Sequence, residues 1–321
     1  MEKPVIALAM GDPCGISPEL TAKVVALDEI RKAARVVVIG DRRVFDEGAK
    51  LAGRSAEPDE FVDLKHLDPA TIRRGVASKA GGASALANYR HALRMAADGK
   101  ADAVCFTPFN KQAMRLAHPP YEDEIGFTSG VLGFNGAATE FNILEGLWNA
   151  RVTSHIPLAK VPSALSIDSI VQALELTTTA LRAAGFQPPR IGVAALNPHA
   201  GDGGNFGREE IDIIEPAVKK AKAKGLPADG PYPADTVFVR AKGGQFDAVL
   251  TMFHDQGQIA MKLLGFDRGV TLLGGYPFPI CTPAHGTAYD IAGKGIANVG
   301  AARAALLLAA RMAQLQVTGN P

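Results

Sequence analysis

Cysteine is scarce in this chain, with three in 321 residues, and Cys14, Cys105 and Cys281 lie far apart. An odd number so spaced excludes a disulfide framework and a CxxC metal knuckle, so each thiol reads as a small packed side chain. Aromatic residues make up only 6% and the formal net charge is +1, spread without basic blocks. That leaves neither a base-stacking platform nor a phosphate-tracking face, and nucleic acid is not an expected partner. No apolar run approaches the roughly 20 residues needed to cross a bilayer, so no membrane is expected. The apolar stretch Val5 to Met10 is too short for a signal-peptide core and runs at once into a charged glycine turn, which points to a cytoplasmic protein. Neither GxGxxG nor GxxxxGK[ST] occurs, so a Rossmann fingerprint and a P-loop are both missing.

What is present is apolar side chain in quantity, 47% of residues, enough for two α/β lobes. Short apolar runs alternate with longer helical patterns, the order of parallel sheets covered by helices. The expected strands are Val5 to Met10, Val36 to Ile39, Ala103 to Phe106, Ala150 to Thr153, Arg190 to Leu196 and Ala248 to Phe253. Helices are expected from Pro18 to about Leu27, over 84–98, from Ile167 to Ala184, over 208–224 and over about 300–315, the first opened by Ser17-Pro18-Glu19. Gly225 to Asp235, broken by proline and glycine, reads as a connecting loop. The first lobe is placed at 1–125 plus 285–321 and the second at 126–284.

Three histidines share a setting. "ARVTSHIP", "AALNPHAG" and "VLTMFHDQG" each end an apolar run on a histidine, His155, His199 and His254, shortly before glycine or proline. In open α/β sheets ligands bind beyond the carboxyl ends of the strands. Three imidazoles at that rim suit one divalent ion, with Asp255 and Asp202 as carboxylates behind them; the bland alternative is three strand-capping side chains. "MGDPCGISPEL" fits close backbone approach to a ligand with Asp12 as a polar contact, or a plain tight turn. "HGTAYDIAGKG" fits a loop around adenine and ribose using Asp290, or a helix start with a glycine stop. Lys262 is a solvated charge unless the site claims it.

Taken in order, "GDPCGISPE", "TPFNK", "SHIPL", "NPHAGDGGNFGREE", "HDQG" with Lys262, and "HGTAYDIAGKG" resemble the 4-hydroxythreonine-4-phosphate dehydrogenase family of vitamin B6 (pyridoxine) biosynthesis across essentially the whole chain. The resemblance implies two α/β/α lobes with mainly parallel sheets, an isocitrate and isopropylmalate dehydrogenase-like fold with the active site in the cleft, and a homodimer with shared active sites, the second lobe carrying most metal ligands and the dimer interface. It implies NAD or NADP and one divalent metal per site (Zn, Co, Mn or Mg) held by His155, His199 and His254. Lys262 and Asp255 are the implied catalytic residues. Lys262, Asp123, Glu124 and Thr271 would meet substrate, and Asp12, Gly201, His285, Thr287 and Asp290 would meet cofactor. The implied reaction oxidises a secondary alcohol β to a carboxylate, followed by decarboxylation.

The chain departs from that family where phosphate is held. A Gly-His-Thr-Glu stretch is replaced by "YEDEIGF", a substrate-binding asparagine by Thr271, and an arginine by Ile280. Two acids beside a phosphate dianion, and no bidentate arginine, predict a substrate without phosphate: a hydroxy acid or a dihydrodiol carboxylate, as in the terephthalate dihydrodiol branch. The alternatives are the vitamin B6 enzyme itself and a catalytically inactive scaffold or binding protein.

Overall fold

The computed structural model describes residues 2–53 and 57–318. In chain order its strands and helices are β1 (Val5–Ala9), α1 (Ser17–Val25), α2 (Asp28–Ala33), β2 (Arg35–Gly40), α3 (Arg42–Ala52), β3 (Glu60–Asp63), α4 (Lys79–Ala97), β4 (Ala103–Phe106), α5 (Lys111–Ala117), α6 (Glu124–Leu132), β5 (Thr139–Leu144), β6 (Leu147–Arg151), α7 (Val161–Ala164), α8 (Ile167–Ala183), β7 (Ile191–Ala194), α9 (Glu215–Ala223), β8 (Ala228–Tyr232), α10 (Ala234–Lys242), β9 (Ala248–Thr251), α11 (His254–Gly265), β10 (Val270–Gly274), β11 (Ile280–Pro283) and α12 (Gly300–Val317). Short 3-10 turns and one π-helical turn, Glu210–Ile214, fill several connections.

The chain divides into two compact units, one running to Gly136 and resuming at Asp267, the other Ala137–Phe266. Residues 126–136 and 267–284 therefore go with the first unit rather than with the second lobe drawn from sequence. The cause is apolar burial: Phe127, Leu273 and Ile280 share a core cluster with Tyr89, Phe106 and Met114, where each buried large side chain contributes roughly 1.5 to 3 kcal/mol.

In the first unit the strand order is β3-β2-β1-β4-β11-β10, parallel except for the β10–β11 pair. The second has β5-β6-β9-β7-β8, parallel except for the β5–β6 hairpin. Completely buried strands such as β4, β7 and β9 read as unbroken apolar runs because helices cover both faces, and each of the six expected strands overlaps an observed one. Gly225 to Asp235 is a different matter. It contains β8, a sheet-edge strand carrying Gly230-Pro231 and an irregular register against β7; proline is tolerated there because an edge leaves one row of N–H groups unpaired. The three cysteines are free and buried. No helix among the described residues is long and apolar enough to cross a membrane.

Helix α4 begins at Lys79, earlier than expected, because Ser78 caps it by accepting from the Gly81 amide. Its second turn holds Gly82, where a Cβ would stand 1.9 Å from the Ala113 carbonyl oxygen of α5. Helix propensity alone favours alanine at this position by about 1 kcal/mol. Backbone contact outweighs it, and Gly82→Ala is expected to lower stability by about 1 to 3 kcal/mol; a urea midpoint at or above wild type would contradict that packing.

Candidate active site

β6, β9 and β7 lie side by side and parallel, so their carboxyl ends open onto the same edge of the second unit. The segments that leave them carry His155, His254 and His199 respectively. Hydrogen bonds tie these exits together. The Thr153 amide and hydroxyl both donate to the Met252 carbonyl, at 3.1 and 2.7 Å. Gln256 accepts from the Met252 amide and donates to the Ala195 carbonyl, each at 2.7 Å, linking the end of β9 to the end of β7. Gly257 completes the motif for a steric reason: a Cβ there would lie 2.1 Å from Asn149 Oδ1, so only glycine lets α11 seat against β6.

His155 and His254 come together, with ring centroids 5.5 Å apart and planes inclined by 41°. Asp255 hydrogen-bonds His254 Nδ1 at 2.7 Å, which orients the ring and leaves Nε2 as the ring nitrogen for a ligand. His155 stands at φ +42° and His199 at φ +52°, left-handed conformations that cost an L-residue about 1 to 2 kcal/mol and gather at functional sites. His199 sits on the turn Pro198–Gly204, where the six consecutive residues 199–204 have positive φ. Its ring neighbours Phe206; it does not join the other two in one cluster, and among the described residues no group of three His, Cys, Asp or Glu is close enough to hold a metal ion. The donor set still fits a divalent ion in its chemistry. Two adjacent imidazoles, one backed by a carboxylate, are what zinc-type sites use.

Lys262 is exposed on α11, two turns beyond His254. Gly201 is buried in the His199 turn. The remaining cofactor candidates fall in the first unit, at the carboxyl end of β1. Asp12 is fully buried: one carboxylate oxygen accepts from the Cys14 amide at 2.8 Å and the other from the Tyr289 hydroxyl at 2.5 Å. Thr287 is buried and its carbonyl accepts from the Ile16 amide at 3.0 Å, while His285 Nδ1 lies 3.0 Å from the Gly286 carbonyl and Asp290 is exposed. "GDPCG" and "HGTAYDIAGKG" are thus one stitched structure. Glu19 locks it, accepting from the Gly295 and Ala297 amides and from Lys23 Nζ. Sequence reading treats Glu19 only as a helix-end acid, and nothing in its spacing announces a partner so far along the chain.

At the substrate candidates, Asp123 caps α6 by accepting from the Gly126 amide at 2.7 Å. Glu124, in the first turn, pairs with Lys111 of "TPFNK" at 3.3 Å. Thr271 lies in β10 and Ile280 in β11, the latter with no exposed surface.

Two units of mainly parallel α/β structure, with polar loops and imidazoles at the carboxyl ends of their strands, define an α/β enzyme scaffold of the open-sheet kind. The chain belongs to the family described as Pyridoxal phosphate biosynthetic protein PdxA, whose model matches residues 32–309. It is 62% identical over 327 residues to "Putative 4-hydroxythreonine-4-phosphate dehydrogenase 2" of Rhizobium meliloti (strain 1021), covering 97% of this chain and 94% of that protein. Among solved structures it is similar to a 4-hydroxythreonine-4-phosphate dehydrogenase from Klebsiella pneumoniae, with TM-score 0.85, 34% identity and coverage of 98% and 99%. It is also similar to a terephthalate 1,2-cis-dihydrodiol dehydrogenase from Burkholderia xenovorans LB400, with TM-score 0.68, 29% identity and coverage of 96% and 98%.

Burial pushes the Asp12 carboxyl above the ordinary carboxylate range, against the opposing pull of the Tyr289 and Cys14 hydrogen bonds. A carboxyl with a raised folded-state pKa binds its proton more tightly in the folded chain, so the stability it contributes is greatest in acid and is lost as pH rises through the folded value. Relative to Asp12→Asn, wild type should therefore lose its advantage as pH rises from below the ordinary carboxylate value of 3.8 through the raised folded-state value. Urea unfolding across that range reads it, and a gap that widens with pH would mean that Asp12 is held as a stabilised carboxylate.

Proposed function

We propose that this protein is a cytoplasmic, homodimeric, divalent-metal-dependent NAD(P) dehydrogenase that oxidises a secondary alcohol β to a carboxylate with loss of carbon dioxide, and that its substrate carries no phosphate. In the balanced reaction, hydride leaves the carbinol carbon for the nicotinamide, the hydroxyl proton is released, and the β-keto acid then loses CO2 and takes up a proton. His155, His199 and His254 would hold the ion, which when bound acts as a Lewis acid toward the alcohol and carboxylate oxygens. Imidazole donors do not choose among Zn, Co, Mn and Mg. Asp255 fixes the His254 ring, and Lys262 supplies a cation for the substrate. Asp12, Thr287, His285, Asp290 and Gly201 line the loops proposed to meet the cofactor. Dimerisation draws support from α11, where Ile259 and Leu263, one turn apart, are 61% and 83% exposed; apolar exposure of this kind marks association surfaces.

The observation that carries the substrate assignment is the start of α6. A helix N-terminus is a ready seat for phosphate, but here the Gly126 amide is taken by Asp123 and Glu124 occupies the first turn. A phosphate dianion arriving there would displace one carboxylate and be repelled by about 1 to 4 kcal/mol per charge at about 4 Å, a term that Lys111 offsets at Glu124 and not at Asp123. A second reading, the vitamin B6 enzyme, is favoured by the name of the 62% identical relative and by that same Lys111–Glu124 pairing, which balances half of the added charge.

The two readings separate in a steady-state assay of NADH or NADPH formation with added metal. Unphosphorylated 4-hydroxythreonine or a cis-dihydrodiol carboxylate should exceed 4-phosphohydroxy-threonine in kcat/KM by about tenfold or more, equivalent to about 1.4 kcal/mol; the opposite ranking establishes the vitamin B6 enzyme. His199→Ala should abolish metal-dependent hydride transfer with Tm retained. Unchanged turnover in that variant would take His199 out of the site, and absence of any turnover or metal uptake by wild type would favour the scaffold reading.

A further inference from the structure

We propose that Glu210 is a positioning residue that holds the His199 turn in its ion-ready shape. The proposal rests on the metal-dependent reading above. The turn itself is poorly suited to persist alone. His199, Ala200, Gly201, Asp202 and Gly203 have φ of 52°, 53°, 81°, 45° and 65°, a run that L-residues do not maintain without outside constraint. Beyond its own 3-10 turns, the segment is closed at its far end by bonds from the Asn205 amide to the Asp202 carbonyl and from the Phe206 amide to the Gly201 carbonyl, both at 3.2 Å.

The constraint comes from Glu210, whose side chain is buried although it carries a carboxylate. Oε1 accepts from the Leu196 and Asn197 amides, both at 2.8 Å, and Oε2 accepts from Asn197 Nδ2 at 2.9 Å. These are the residues that deliver the chain from β7 into the turn, so the carboxylate fixes the direction in which the turn starts. It also fixes the middle. A Cβ on Gly201 would be 2.7 Å from Glu210 Oε2, so the carboxylate is seated directly against the turn's central residue, two positions from the histidine. Glu210 opens the π-helical turn Glu210–Ile214, a local widening of the kind that recurs at functional sites. A buried acid satisfied by N–H groups of one loop has little other use: a core-filling role would be served by an apolar side chain of similar size.

If the turn is held beforehand, an ion that binds His199 does not have to order a glycine-rich segment. Loss of such a supporting contact typically weakens metal affinity by about 10- to 100-fold. Glu210→Ala removes both acceptor oxygens and with them all three hydrogen bonds, whereas Glu210→Gln keeps a carbonyl oxygen for the Leu196 and Asn197 amides. Asn197→Ala removes one donor without emptying the buried position and serves if Glu210→Ala does not fold.

The experiment measures Co2+ affinity by competition, the visible absorption of the Co2+ form, Tm, and amide hydrogen exchange over residues 197–207. Glu210→Ala should lose about 10- to 100-fold in Co2+ affinity with an altered spectrum and faster exchange, Asn197→Ala should lose less, and Glu210→Gln should restore affinity to within a few-fold of wild type. Wild-type affinity, spectrum and exchange protection in Glu210→Ala, or in Asn197→Ala where that variant stands in, would overturn the proposal. If wild type binds no Co2+, the metal-dependent reading fails, and exchange over 197–207 still decides whether Glu210 holds the turn.

Discussion

Three parallel strands ending side by side are the constraint on which the second unit depends. β6, β9 and β7 are neighbours in that order, and a parallel sheet sends every strand's carboxyl end to the same edge. Residues far apart in sequence are thereby brought together by hydrogen bonding of the backbone alone. Gln256 carries the arrangement past the last ladder bond, because its amide satisfies Met252 on one strand exit and Ala195 on the next. The short motif after β9 divides the labour: His254 faces His155, Asp255 orients the ring, Gln256 joins the exits and Gly257 lets the helix approach.

The first unit uses the same device with different residues. Asp12 and Glu19 are buried acids whose oxygens are taken by donors from residues 289, 295 and 297. An unsatisfied buried acceptor would cost about 1 to 3 kcal/mol or more, so each carboxylate penalises any arrangement of the two glycine-rich loops other than the one observed. Both units therefore fix their strand-end loops by polar side chains from one segment that satisfy the backbone of another.

This explains what the sequence does and does not disclose. Buried parallel strands announce themselves, and with them the histidines at their ends, because an uninterrupted apolar run followed by glycine or proline has few other readings. The hairpin strand β5 is hidden, since Glu140 and Asn142 on it hold the buried guanidinium of Arg151 at 2.5 Å each and so interrupt the apolar run that the buried Phe141 and Ile143 would otherwise form. β8 is hidden by its proline. The supporting acids Glu19 and Glu210 are hidden for another reason: a glutamate that accepts two backbone amides is identical, in sequence, to one that faces water. Lys111 shows the same limit, because only its 3.3 Å contact with Glu124 reveals that the acids replacing the family's phosphate ligands are unequal, one compensated and the other committed to a helix cap.

On the proposed reading, that inequality bears on substrate choice. A capping carboxylate competes with a ligand anion for the same amide, and it competes from within the chain, without the translational and rotational cost that a free ligand must meet. On the proposed reading, Asp123 would disfavour phosphate at the start of α6 even where its charge is well screened, since the loss is of a hydrogen-bond donor as well as of a favourable field. Ile280 acts in the same direction by a different route. With no exposed surface and membership of the apolar cluster, it presents no polar group to a ligand and ties that strand position to the core. On the proposed reading, the metal chemistry stays with the second unit's strand ends while the first unit trades anion recognition for local stability.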